Sequence, residues 1–468
     1  MILPAPRFLA MRMDPERHGG TPFEQSVAPA LARPPTSGPA WLADLRGAGA
    51  AAFRAAGLPT IRHEDWRFTN VAPLAALGFG PARAPSPVLA ARLAALPAPA
   101  GARLVFENGR FRADLSFAAA LPAGAVVASL AEALAQAPEL VRPHLGRLAR
   151  PDGLAFTALN AAALEDGAFV HLPAGAAVEA PIELVFAGGG AGDPVVQHPR
   201  VLVVAGAGAK ATVAEVYLGG SARPEPVEGR AEAGDLYLTA AVTELVAGEG
   251  AELAHVKLQD EGDRAFHVSA VFAEQGAGTK LAAHSIALGA QLSRAELRVR
   301  LAGEEGALSA SGLYMADGAR VTDSYSVIDH AVPRCRTEEA YKGILDGRAR
   351  GVFHGRIRVL PGAQKTDARQ MNSNLLLSDD AVVDTKPQLE IFADDVKCGH
   401  GGTVGQLDED ALFYLRSRGV DEAAARTLLI WAFAAEMVER IGPAALREQA
   451  RRHVAARLPA AAALLEAA

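Results

Sequence analysis

Cys398 and His400 stand two residues apart in the run Cys398-Gly399-His400-Gly401-Gly402. A thiolate and a neutral imidazole both ligate soft and borderline metals. Positions i and i+2 share one face of a strand. The glycines also permit a tight turn that brings both donors to one ion. Two donors leave such a metal under-coordinated, so a complete site needs donors from elsewhere, a partner chain included. The same pattern equally fits a small buried cysteine beside a surface histidine. Asp329, His330 and Cys335 form a second cluster. There Asp329 could fix the tautomer of a ligating His330, although a structural turn explains the cluster more simply. The run Gln364–Asn374 is very polar for its surroundings, and stacked Asn and Gln side chains are expected to form ladders.

Signatures of turnover are missing. Gly206-Ala207-Gly208-Ala209-Lys210-Ala211-Thr212 imitates a phosphate loop but lacks the spacing that wraps a phosphate, and it reads as a strand-entry turn. There is no Gly-x-Ser-x-Gly elbow. His63-Glu64 begins a metalloprotease-like pattern whose second histidine is absent. No catalytic residue and no nucleotide site are expected on this chain.

Composition narrows the class. The chain has 468 residues, half of them hydrophobic, which excludes global disorder. Lys and Arg number 46 against 53 Asp and Glu, a net charge of −7 that argues against a nucleic-acid binder. Two cysteines in this length exclude a disulfide scaffold and point to a cytoplasmic protein. The most apolar candidate for a membrane span, Leu115–Ala131, is interrupted by Pro122 and Gly124. The N-terminus lacks the order of a signal peptide, and residues 1–40 read as a loose extension.

Three regimes of periodicity position these residues. Residues 41–165 read as mostly helical, with a helix over Ala40–Ala56 that Gly57 and Pro59 end. Asn108-Gly109 between apolar runs predicts a hairpin over Leu104–Phe111. A second helical region runs from Ser129 to Arg150, with Ser129 as cap and Glu132 three residues on. Residues 166–405 change character. Short alternating runs, among them Ala168–Leu172, Ile182–Phe186, Val201–Val204, Leu236–Leu245, His267–Phe272 and Gly351–Val359, are separated by Gly-containing turns. A doubly wound α/β domain is excluded; a sandwich, barrel, propeller or β-solenoid remains. Gly248–Leu253, Gly276–Leu281 and Glu304–Ser309 recur 28 residues apart. Gly206–Ala211 precedes them, and the polar Ser221–Gly234 reads as an inserted loop. Such a period favours the solenoid. Residues 406–468 are helical again, with Asp408 and Asp421 as caps and Gly419 and Gly442-Pro443 as stops. Leu428, Trp431, Ala435 and Val438 make one apolar stripe that Leu429 and Phe433 widen. It packs on the solenoid or docks a partner.

Several stretches together resemble a known family. They are Glu64-Asp65-Trp66-Arg67-Phe68-Thr69-Asn70, Tyr341-Lys342-Gly343, Gly355-Arg356-Ile357, the run from Gln364 to Ser378, Thr385–Ile391, Asp394–Gly401 and Tyr414–Gly419. Their order and spacing resemble the SufB/SufD family of iron–sulfur cluster assembly proteins, most densely from Asp317 to Arg440. Within it the chain is similar to the SufD type. SufB-type subunits carry more cysteines, and the helical N-terminal region with Trp66 fits the SufD type better.

The resemblance implies a mainly β protein, a right-handed parallel β-helix core flanked by N- and C-terminal α-helical regions. It implies a non-catalytic scaffold subunit with two partners, a SufB-type subunit and a SufC-type ABC ATPase. It also implies a transient iron–sulfur cluster at the subunit interface, to which His400 and Cys398 contribute; a lowered thiol pKa would help Cys398. Tyr414, Leu415, Arg416, Leu428, Trp431 and Phe433 become the expected ATPase-docking residues. Cys335 and His330 receive no ligand role. A homodimer of the isolated chain also fits a long β-helix edge. The competing readings are a SufB-type paralogue and a β-helix enzyme acting on polysaccharide.

Overall fold

Alternation in the middle of the chain reflects strands that coil into a parallel β-helix. The computed structural model describes residues 20–32, 35–80, 87–189, 194–219 and 236–458. The expected Ser221–Gly234 loop lies outside them.

In chain order the helices are α1 (Pro22–Ala32), α2 (Ala40–Ala56), α3 (Ala72–Ala75), α4 (Pro87–Ala94), α5 (Leu130–Gln136), α6 (Pro138–Val141), α7 (Ala155–Ala162), α8 (Glu409–Ser417), α9 (Glu422–Glu439) and α10 (Ala444–Ala455). One ten-stranded sheet, the first sheet, is ordered β2 (Arg110–Phe111), β1 (Arg103–Glu107), β5 (Ile182–Gly188), β8 (Lys210–Gly219), β10 (Glu252–Asp260), β12 (Lys280–Ala287), β14 (Ala307–Ala316), β16 (Arg336–Leu345), β18 (Asp367–Leu376) and β20 (Lys397–Gly405). The second runs β19 (Val382–Ile391), β17 (Arg350–Val359), β15 (Val321–His330), β13 (Leu292–Leu301), β11 (Phe266–Gln275), β9 (Tyr237–Ala247), β7 (Arg200–Ala205), β4 (Gly167–Leu172) and β3 (Val126–Ser129), with β6 (Val195–Gln197) beside β9. The six alternating runs fall in strands, apart from Leu236.

Glycine marks the corners. Gly208, Gly250 and Gly278 have φ of 66°, 65° and 63°, the left-handed region that glycine enters freely. Each donates its N–H to a carbonyl of the next coil, as Gly250 does to Ala277 at 2.7 Å. Further on, Glu305, Arg334 and Lys365 take the equivalent position at φ 62°. The third repeat therefore turns at Glu305, one residue before Gly306.

Three apolar layers hold the coil. Val170, Leu184, Val203, Leu253, Val299 and Ile357 belong to the layer between the two sheets. Each fully buried Val, Leu or Ile stabilises by roughly 1.5–3 kcal/mol. Outside the first sheet, Val256, Ile286, Leu313 and Ile344 pack against Ile430, Ala434, Met437 and Val454 of α9 and α10. Outside the second, Leu238, Phe266 and Leu292 meet Phe23, Phe53, Leu74 and Phe156 of the N-terminal helices. Buried Arg200 pairs with Glu244 at 2.5 Å, and Glu244 also accepts N–H bonds from Gly146, Leu148 and Ala149.

One expectation changes and another is refined. The segment read as loose contains α1, whose Phe23, Val27 and Leu31 are buried at a four-residue spacing. Neighbouring prolines and glycines hide that helical stripe. The helical region from Ser129 to Arg150 is built of two short helices followed by turns. Ser129 caps α5 by accepting from the Glu132 N–H. Ala137 then leaves helical geometry, and Pro138, which has no N–H to donate, begins α6. No helix among the described residues is long and apolar enough to cross a membrane.

Candidate functional site

Cys398 and His400 sit on β20, the last strand of the first sheet. Parallel pairing sets Cys398 beside Ala368 and His400 beside Gln370 of β18. Ala368 and Gln370 are buried and face the inside of the coil, whereas the alternating Arg369 and Met371 face out. Cys398 and His400 therefore occupy the inward face of a coil that no further coil covers among the described residues. Cys398 is half-buried against the inner layer. His400 is exposed. Burial pushes the Cys398 thiol above its ordinary value. The shift is opposite to the one that would help Cys398 act as a thiolate. Among the described residues no three His, Cys, Asp or Glu side chains gather as a metal cage.

The end of the coil is open. β19 closes the second sheet as β20 closes the first, so each presents one strand edge without a pairing strand among the described residues. Val382, Ile391, Phe392 and Val404 are exposed there. A groove of about 710 Å³ reaches Cys398 and His400, and Glu339, Gln370, Met371, Glu436 and Arg440 also line it.

Beneath the open end lies a polar interior layer. Gln370 Nε2 donates to Glu339 Oε2 at 2.6 Å. Asn372 Nδ2 donates to the Tyr314 hydroxyl at 3.1 Å, and Asn374 Nδ2 to Asn372 Oδ1 at 2.7 Å. The expected ladder of stacked Asn and Gln is thus absent. Asn372 instead stacks between Tyr341 and Gly402, and Asn374 between Gly343 and Val404. Glycine opposes the bulk. A Cβ on Gly343 would stand 2.2 Å from Tyr314 Cε2 and 2.4 Å from Asn374 Oδ1, and one on Gly355 would stand 2.2 Å from Gln370 Nε2. The motifs around Tyr341, Gly355 and Gln364–Asn374 converge on this layer.

The second cluster does not assemble. Asp329 and His330 are neighbours on β15 and so face opposite ways. Asp329 accepts two bonds from Arg358, at 2.6 and 2.5 Å. His330 is buried against Thr337 at 2.9 Å, and burial lowers its pKa to about 4. Buried Cys335 lies 3.4 Å from the Gly303 carbonyl, its thiol pushed up by burial.

The Trp66 segment is a strap on the outer face of the second sheet. Buried Arg294 is held between Trp66 at 4.1 Å and Tyr325 at 4.6 Å, and pairs with Glu296 and Asp323. Thr69 donates to Asp323 at 2.5 Å. Glu64 accepts from Lys386 of β19 at 2.9 Å, so the strap reaches the terminal strand. A desolvated cation–π contact is worth about 2 kcal/mol.

The C-terminal residues divide. Asp408 and Asp421 cap α8 and α9 through bonds to Asp410, Ala411 and Ala424 N–H groups. The buried face of α9 is Thr427, Ile430, Ala434, Met437 and Val438, so only Val438 of the predicted stripe lies on it. Leu428 is 39% exposed. Trp431 lies under Arg451, and Phe433 under Lys342. On α8, Tyr414 is 57% exposed, Arg416 is exposed and Leu415 is half-buried. Phe413, which sequence reading passed over, is 72% exposed. A large aromatic on a polar helix was the available signal.

Comparison with known proteins places this geometry. The profile described as SUF system FeS cluster assembly, SufBD core domain, matches residues 186–433. That of the SufBD protein N-terminal region matches residues 36–184. A SufBD-family iron–sulfur cluster assembly protein of Synechocystis is 36% identical over 404 residues, covering 86% of this chain and 87% of the relative. Iron-sulfur cluster assembly protein SufD of Escherichia coli is 32% identical over 420 residues, covering 87% and 90%. Chloroplastic protein ABCI7 of Arabidopsis thaliana is 33% identical over 307 residues, covering 64% and 62%. Coil, helical flanks and matched profiles agree, and the chain belongs to the SufBD family of SUF-system iron–sulfur cluster assembly proteins.

Proposed function

We propose that this chain is a SufD-type scaffold subunit without turnover of its own. Its open end meets a SufB-type subunit, and a nascent iron–sulfur cluster forms across that interface as cargo. His400 ligates iron through a neutral ring nitrogen, and Cys398 ligates or assists as thiolate. The remaining donors come from the partner. Phe413, Tyr414, Leu415, Arg416 and Leu428 dock a SufC-type ATPase, with Trp431 and Phe433 shaping the base of that face. Nucleotide-driven motion of the ATPase passes through α8–α10 to the open end and exposes the donors.

The observation that carries this reading is the position of both donors on the inward face of the last, uncovered strand. Exposed apolar residues and two free strand edges surround them there. A partner that covers this end supplies both strand pairing and ligands. The test is co-expression with SufB-type and SufC-type partners, purified through a tag on this chain. Wild type and His400→Ala are compared for stoichiometry and for visible absorbance after anaerobic iron and sulfide loading. The expected result is equal assembly with cluster lost in the variant. Failure of the variant to assemble makes His400 structural, and failure of wild type to capture partners overturns the reading.

A further inference from the structure

The polar layer beneath the open end contains an atom that its own rungs do not satisfy. Glu339, Gln370 and His400 occupy one register column on β16, β18 and β20. Gln370 is 2% exposed, and its Nε2 is committed to Glu339. Its Oε1 is buried and has no hydrogen-bond partner. A buried carbonyl left unpaired costs roughly 1–3 kcal/mol. The two neighbouring amide donors are spent: Asn372 Nδ2 serves Tyr314 and the Tyr341 carbonyl, and Asn374 Nδ2 serves Asn372 and the Thr403 carbonyl. The next side chain in the column is the His400 ring, and the groove at the open end touches both residues.

We propose that Gln370 is the positioning residue for His400, its Oε1 accepting one ring N–H so that the other ring nitrogen keeps its lone pair for iron. This rests on the scaffold reading above. The hydrogen bond made by one imidazole nitrogen fixes the tautomer and the aim of the other, the task that carbonyl and carboxylate partners perform behind metal-bound histidines. A neutral amide does so without adding charge. Glu339 orients the amide from behind. Burial raises its carboxyl above the ordinary value.

The experiment uses the full chain labelled with ring-¹⁵N histidine, with His400→Gln serving only to assign the resonance. Long-range ¹⁵N–¹H spectra of wild type at a pH where the ring is neutral are expected to show one dominant tautomer. Gln370→Leu, which keeps the volume and removes the acceptor, is expected to give a tautomer mixture. The exchanged pair Glu339→Gln with Gln370→Glu restores an acceptor under His400 and is expected to restore the single tautomer. A mixture in wild type overturns the proposal, as does an unchanged single tautomer in Gln370→Leu. If Gln370→Leu does not fold, the exchanged pair alone decides: a mixture there overturns the proposal. In the assembled complex, cluster loading is expected to fall severalfold in Gln370→Leu and recover in the exchanged pair. Equal loading in all three forms overturns the positioning role. The tautomer measurement needs neither cluster nor partner, so its outcome is separable from that of His400→Ala.

Discussion

Replacing Gly343 by Ala tests whether the interior layer is packed as described. The new Cβ would stand 2.2 Å from Tyr314 Cε2, 2.4 Å from Asn374 Oδ1 and 2.6 Å from Tyr314 Cζ. Carbon atoms rest at roughly 3.5–4.0 Å, so the ring must retreat by more than an ångström. Tyr314 is 1% exposed and its hydroxyl serves both Asn372 and Asn374, so it has nowhere to go without breaking those bonds. Overpacking of this kind costs about 1–3 kcal/mol. Replacing a strand glycine returns roughly 0.5–1 kcal/mol of backbone entropy. The net expectation is a loss of about 1–2 kcal/mol, read as a lower urea midpoint at unchanged slope. Gly47→Ala in α2 is the opposing control. Nothing lies within 4 Å of its Cβ, and it should stabilise by about 0.5–1 kcal/mol. The double variant with Tyr314→Ala should lose most of the Gly343→Ala penalty, because the clashing ring is gone. A neutral Gly343→Ala, or an undiminished penalty in the double variant, refutes the packing argument.

Asp260 binds Arg92 of α4, His453 in the last turn of α10 and Arg457 just beyond it. Burial alone would raise its carboxyl, but the His453 hydrogen bond and the Arg457, His453 and Arg92 charges outweigh that and hold it well below its ordinary value. A depressed carboxylate contributes stability that is complete above the ordinary pKa and is lost as pH falls below it. Wild type should therefore lose urea stability more steeply than Asp260→Asn below about pH 4; equal slopes reject the network. Iodoacetamide should modify native chain once, at Cys398, and reach Cys335 only after denaturation, as read by peptide mass mapping; a labelled Cys335 contradicts its burial. The paired change Phe413→Asp and Tyr414→Ser should shift stability by no more than about 0.5 kcal/mol yet abolish ATPase capture on a tagged column. Retained capture moves the docking face elsewhere.

Local chemistry was the legible part. Caps at Ser129, Asp408 and Asp421 announce helix starts because a side chain satisfies N–H groups only a few residues away. Asn108-Gly109 announces its hairpin for the same reason, with φ of 49° and 78°. Glycine corners reveal the repeat until Glu305 takes a left-handed corner that its residue type does not advertise. The stripe on α9 misleads because Leu428, Trp431 and Phe433 make the helix apolar beyond its buried face, so periodicity cannot choose a side. The interior layer is hidden because Glu339, Gln370 and Asn372 face inward, inverting the rule that polar residues mark the solvent face. Cys398 and His400 are readable as a pair two apart. Gln370 is not, since its relation to His400 exists only once parallel register stacks residues some thirty positions apart. Thr69 and Asp323 meet only through the fold.

The two ends of the coil differ in kind. One is finished by antiparallel pieces: two-residue β2 beside β1, and short β3 beside β4 with α5 against it. Short, antiparallel, helix-covered strands make poor templates. The other end keeps two long edges unpaired among the described residues and its apolar side chains in the open. A rod adhesive at one tip has a valence of one. Joined tip to tip, two such rods saturate each other, and the assembly closes at a pair instead of propagating as a fibre. A long adhesive edge confined to one tip thus avoids the risk of polymerisation that parallel coils open at both ends would carry.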